Sequence, residues 1–207
     1  MTIIRNVAEN SCCTLIFAHG AGAPMDSVFM EDMSLRLQAL GVTVLRFEFP
    51  YMAQRRVDGV RRPPNTSAIL QATWRAVYAE VRAQVAGPLV LAGKSMGGRI
   101  ASMLVDELQA DGLVCLGYPF YPAGKIERPR TEHLLNLRTP TLIIQGERDA
   151  LGAKAIVQTY PLSSAIEIEW LAFADHDLKP LKRSGFTYEQ YMAQSAQRVV
   201  AFLRRLL

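Results

Sequence analysis

Apolar residues along the chain fall into short, nearly unbroken runs, separated by longer stretches in which they recur every three or four positions. The runs are "CTLIFAHG", "GVTVLRFEF", "GPLVLAGKS", "DGLVCLGYPF", "TPTLIIQGERD" and "AIEIEWLAFADH". A strand covered on both faces has no polar side, so continuous runs predict six strands of a mainly parallel, buried sheet. Between them, residues 27–40 place Phe29, Met33, Leu37 and Leu40 at helical spacing, and residues 66–86 do the same with Ile69, Leu70, Trp74, Val77 and Val81. Further helices are expected over 96–110, over 151–160 and from about Thr187 to the end, where Tyr188, Met192, Val199, Phe202, Leu203 and Leu206 share one face. Alternating strands and helices predict an α/β fold with right-handed crossovers and helices on both faces.

Two stretches break the pattern. Residues 50–65, "PYMAQRRVDGVRRPPN", and 119–133, "PFYPAGKIERPRTEH", are rich in proline, glycine and arginine and are expected to be loops. Both follow strands, which puts them at the sheet's carboxyl edge, where open α/β sheets bind ligands. Composition adds little. A length of 207 residues suits a single domain over 1–207. The excess of 23 basic over 19 acidic residues is too small to predict a nucleic-acid partner. No apolar run approaches the roughly 18 residues of a membrane span, and "MTIIRNVAENSCC" does not read as a leader. Cys12, Cys13 and Cys115 lack metal-ligand spacing and fit a reducing compartment. The expectation is a cytoplasmic, soluble protein with neither a membrane nor a nucleic-acid partner; the oligomeric state stays open.

The chemistry centres on Gly93-Lys94-Ser95-Met96-Gly97, a G-x-S-x-G pattern between a predicted strand and a predicted helix. Glycines two before and two after the serine let strand and helix approach, while the serine takes a strained turn that exposes its hydroxyl. The plainer alternative is a glycine-rich turn in which Ser95 only caps the helix. A serine hydroxyl needs a base, and the base needs an orienting group.

Three histidines are available. In enzymes built on such a turn, the chain order is serine, acid, histidine. His19 precedes the serine, and His133 leaves no later strand end to supply an acid; His176, in "FADHDLKP" after the last run, meets both conditions. Asp149 and Glu147 directly follow a strand in "LIIQGERD". Asp149 fits better, since a short carboxylate one turn beyond the strand can reach back to the ring; Glu147 is the substitute, and Asp149 could also cap the next helix. For the oxyanion, the backbone N–H of Met96 and one from "AHGAGAP" are expected, with Ala21 favoured and Gly22 second. His19 reads as a loop-shaping residue.

With "HGAGAP", "GKSMGG", "GERD" and "DHD" in that order, the chain resembles the α/β-hydrolase superfamily over nearly its whole length. More narrowly, "RFEFPYM" and "RRPPN" resemble the small hydrolases related to dienelactone-hydrolase-type enzymes, whose domain also occurs in a chromatin acetyltransferase complex subunit. The resemblance implies an α/β-hydrolase fold, a Ser95, Asp149, His176 triad and no cofactor or metal. The segment between "LGYPF" and "PTLII" is too short for a cap domain, so an open site is expected.

The function expected is hydrolysis of a small-molecule ester or thioester through an acyl-enzyme. The alternative is a non-catalytic binding module that keeps the fold. A nucleotide site at "GAGAPM" is weaker, because the third glycine is absent. Arg55, Arg56, Arg61, Arg62, Lys125, Arg128 and Arg130 either gather over the site, favouring an anionic substrate, or are solvated loop charges, the commoner case. Lys94 either steers an anion or faces water. Tyr118, Phe120 and Tyr121 either line an acyl pocket or pack beneath their loop.

Overall fold

The computed structural model describes residues 2–206. Strands β1 (Ile3–Asn6), β2 (Cys13–Ala18), β3 (Val42–Phe47), β4 (Leu89–Lys94), β5 (Gly112–Leu116), β6 (Thr141–Gly146) and β7 (Ile166–Leu171) form one sheet in the order β1-β3-β2-β4-β5-β6-β7. The six expected strands are β2 to β7, and all their pairings are parallel. The sheet has seven strands, not six. The addition, β1, runs antiparallel on the edge of β3, with Ile3 opposite Phe47 and Asn6 opposite Val44. Four residues interrupted by Arg5 leave too short a pattern to read as a strand; pairing with β3 creates it.

Strands β2 to β6 are buried throughout, which explains their unbroken apolar runs. The edge strand β7 alternates instead. Ile166, Ile168 and Trp170 pack against the core, while Glu167 and Glu169 pair with Arg198 at 2.9 and 3.0 Å. On one face lie α1 (Val28–Ala39) and α6 (Tyr188–Arg204), and on the other α2 (Pro50–Asp58), α3 (Ser67–Arg82) and α4 (Met96–Ser102). Phe47 packs edge-on against Trp74 with ring centroids 4.8 Å apart, and burying a side chain such as Phe47 contributes about 1.5–3 kcal/mol. A capping box starts α6: Gln190 N–H donates to Thr187 Oγ1 and Thr187 N–H to Gln190 Oε1.

Three expected segments differ. Residues 50–58, expected as loop, are helical: Pro50 at the first position loses no needed N–H, Tyr51 and Met52 are buried, and Gly59 closes the helix at φ 72°. The helix expected over 96–110 ends at Ser102 and passes into turns. That expected over 151–160 shrinks to the single turn α5 (Lys154–Val157).

The chain passes from β2 to β3 on one side and later to β4 on the other. A crevice therefore opens at the carboxyl ends of β2 and β4, the switch point of the sheet. Residues His19 to Ala21 leave β2 there, and Ser95 leaves β4. No helix of the described residues is long and apolar enough to cross a membrane.

Candidate active site

Ser95 sits between β4 and α4 at φ 51°, ψ −117°, a backbone conformation rare outside glycine. Crowding dictates its neighbours. A Cβ on Gly93 would lie 2.0 Å from Gly98 N, and one on Gly97 would lie 2.6 Å from the carbonyl oxygens of Ala18 and His19. The glycines thus bring α4 against the ends of β4 and β2, and the turn between them lifts Ser95 into the crevice.

Asp149 follows β6 and His176 follows β7. His176 Nε2 lies 2.8 Å from Ser95 Oγ, and its Nδ1 lies 2.7 Å from Asp149 Oδ2. Asp149 is fully buried and accepts two further hydrogen bonds, from Gln145 Nε2 at 2.8 Å and from Leu151 N–H at 2.8 Å. With Gln145 and Leu151 both donating to it, the carboxyl presents an acceptor to the histidine ring. Nδ1 then carries the imidazole proton, and Nε2 is free to accept from the Ser95 hydroxyl. The bond to Leu151 closes a local turn and is not the helix cap expected of Asp149, because α5 begins only at Lys154 with Ala153 at its N-cap. Glu147 points elsewhere, pairing with Lys154 at 2.7 Å.

Gln145 was not anticipated. Its amide joins Tyr118 N–H, Tyr118 O, Gly152 O and Asp149, so one buried side chain ties the β5 loop to the β6 loop. Tyr51 was also missed, being hidden in a stretch read as loop. Its hydroxyl donates to Ala21 O at 2.9 Å, while His19 Nδ1 lies 2.6 Å from Gly20 O. Phe49 N–H donates to His19 Nε2, which leaves the proton on Nδ1, and burial pulls this histidine's pKa below its ordinary value. A neutral His19 and Tyr51 together fix two carbonyls of the loop after β2.

Two cavities flank Ser95 and share Ala21 and Leu151. One, of about 430 Å³, includes Gly22, Phe29, Met30, Lys94 and His176. The other, of about 330 Å³, includes Met96, Leu70, Ile100, Arg99 and Arg130. Lys94 is buried. Its ammonium donates to His176 O at 2.7 Å and lies 3.4 Å from Asp177 Oδ1, with desolvation lowering its pKa.

Several expected substrate contacts are displaced. Tyr118 is fully buried and its hydroxyl faces Ser102, His133 and Arg130 O, away from both cavities, because Gln145 clamps its backbone inward. Phe120 and Tyr121 are buried likewise. Arg55 lines neither cavity, since its segment is a helix and not a loop over the site. Arg56 is held by Glu48 and Asp26, each at 2.6 Å, and Arg62 by Asp58. Of the basic loop residues, Arg130 alone reaches a cavity beside Ser95; Arg99, four residues past the serine on α4, joins it unforeseen.

Among the described residues no three His, Cys, Asp or Glu side chains gather as metal ligands. A second serine–histidine contact, Ser102 Oγ to His133 Nε2 at 2.8 Å, differs from the first. Ser102 is buried within α4, its hydroxyl donates to Arg99 O, and burial followed by the charge of Arg99 pushes the pKa of His133 down to about 4.

A mainly parallel sheet without a lid, and a serine on a strained turn at its switch point within reach of a histidine and a buried aspartate, define the architecture of an α/β-hydrolase. A family model described as "Alpha/beta hydrolase domain" matches residues 11–204, and the chain belongs to that family. Among solved structures it is similar to an α/β serine hydrolase without lid from Xanthomonas campestris, at 21% identity and TM-score 0.73, covering 99% of this chain and 88% of that one. It is similar also to a dienelactone hydrolase from Anabaena variabilis, at 17% identity and TM-score 0.74, covering 96% of this chain and 88% of that one. An esterase domain of a Rhodothermus marinus protein shares 17% identity at TM-score 0.71, covering 97% of this chain and 91% of that one. At these identities the likeness is one of fold.

Proposed function

We propose that the protein is a serine hydrolase that cleaves a carboxylic ester or thioester through an acyl-enzyme. The observation that carries this reading is the continuous contact from Ser95 Oγ through both nitrogens of His176 to the buried Asp149, at 2.8 and 2.7 Å. Ser95 Oγ attacks the carbonyl carbon as His176 Nε2 takes its proton, and Asp149 holds the imidazolium. Met96 is the first residue of α4, so its N–H has no intrahelical acceptor and can face the oxyanion. The Ala21 N–H, in the loop whose carbonyls Tyr51 and His19 hold, is the second donor. Each such donor is worth roughly 3 kcal/mol in the transition state. His176 then protonates the departing alcohol or thiol, and water, deprotonated by the same nitrogen, cleaves the acyl-serine to the acid.

The leaving group must lie against His176, which assigns it to the Phe29 cavity; the acyl group takes the Met96 cavity. A fluorophosphonate probe is expected to label the wild type at Ser95 and not the Ser95→Ala variant. Folded wild-type protein that neither takes the label nor turns over p-nitrophenyl acetate would exclude the reading in favour of a binding module.

A further inference from the structure

The acyl cavity holds two arginines that the fold leaves without acids. Arg56, by contrast, is neutralised by Glu48 and Asp26, and Arg62 by Asp58. Among the described residues no carboxylate pairs with Arg99 or Arg130, and Arg99 Nε is buried without a hydrogen-bond partner. Desolvation and the charge of Arg99 both depress the pKa of Arg130, although a guanidinium stays charged. Two like charges facing one cavity are costly unless an anion joins them.

The pair is also anchored from behind. Ser102 Oγ donates to Arg99 O at 2.7 Å and Tyr118 OH to Arg130 O at 3.3 Å. His133 Nε2 contacts both hydroxyls, at 2.8 and 3.3 Å. This cluster, lying behind the cavity, holds the backbone of both arginines. Arg99 stands one helical turn beyond Ser95, a rise of about 6 Å, and helical side chains lean toward the N-terminus, back over the serine. Leu70 and Ile100 supply an apolar wall between.

We propose that Arg99 and Arg130 bind the free carboxylate at the far end of a short acyl chain, so that the substrates are half-esters or half-thioesters of dicarboxylic acids. The inference rests on the hydrolase reading. Water and the half-ester or half-thioester give the dicarboxylate, the alcohol or thiol, and one proton released to solvent; His176 passes the Ser95 proton to the leaving group and then a proton of the attacking water back to Ser95.

The test compares monomethyl esters of malonic through adipic acids with neutral keto-esters of equal size, such as monomethyl glutarate against methyl 5-oxohexanoate. The best half-ester is expected to show kcat/KM about tenfold to a hundredfold above its keto-ester, as charge-assisted hydrogen bonds allow. Arg99→Gln and, independently, Arg130→Gln should each lower that ratio about tenfold. Binding to Ser95→Ala by calorimetry, which needs no turnover, should show the same preference and the same dependence on both arginines. Equal or faster cleavage of the keto-ester, with equal binding to Ser95→Ala, overturns the anion pocket and leaves the hydrolase. Arginine-dependent binding without turnover or probe labelling upholds the pocket and removes the hydrolase. Inorganic phosphate binding as tightly as the best half-ester overturns the carboxylate assignment.

Discussion

Lys94 Nζ donates to the carbonyl oxygen of His176 at 2.7 Å, so the residue just before the serine turn holds the loop that carries the imidazole. The ammonium lies over the Phe29 ring at 5.5 Å and near Asp177, and neither contact turns it toward solvent. The bond to His176 O leads us to expect a positioning role for the lysine. Lys94→Met removes a charged hydrogen bond worth about 1.5–3 kcal/mol, and kcat on p-nitrophenyl acetate is expected to fall about tenfold or more. An unchanged kcat would show that the loop holds His176 without it.

Asp149→Asn should cost far more. Its side-chain amide must set an NH₂ against either the Leu151 N–H or the His176 ring, and the second choice forces the imidazole into the tautomer with the proton on Nε2. A loss of about three to four orders of magnitude in kcat is expected, with a lowered melting temperature from the unpaired buried donor. Burst kinetics on p-nitrophenyl acetate would read it. A loss below tenfold would remove Asp149 from the relay.

Tyr51→Phe deletes the hydroxyl that holds Ala21 O while keeping the ring in the core. One hydrogen bond of about 1 kcal/mol predicts a kcat fall of roughly fivefold with KM nearly unchanged. A change confined to KM would place Tyr51 in substrate binding instead.

His133 predicts a pH dependence of stability. Its folded pKa of about 4 lies below the 6.5 of the free residue, with burial the larger cause and the Arg99 charge the second. Below pH 6.5 the unfolded chain takes up a proton that the folded ring refuses, so stability falls as pH drops from 6.5 towards 4 and is flat above. At a partly exposed ring, screened by solvent, the loss attributable to His133 is about 1–2 kcal/mol. Urea midpoints of wild type and His133→Gln should converge on acidification through this window. Buried His19 adds loss of the same sign to both proteins.

Much was legible from local pattern. Strands β2 to β6 declare themselves because a strand covered on both faces is apolar at most positions, and the serine turn because close approach of β4 and α4 admits only glycine at Gly93. Such constraints act between residues close in sequence. By contrast, β1 exists through its pairing with β3, and Pro50–Asp58 is helical because Tyr51 and Met52 find a core to enter.

Side-chain allegiance came from packing. Glu147 and Asp149 stand two residues apart after the same strand, and it is Lys154 that takes the first while Gln145, Leu151 and His176 surround the second. Arginine-rich loops looked alike in the chain, yet Glu48 and Asp26 capture Arg56, while Arg130 joins Arg99 in the lining of one cavity. Hydrophobic periodicity states which face of an element is buried; which charges meet depends on partners brought together from distant parts of the chain by the crossovers of the sheet.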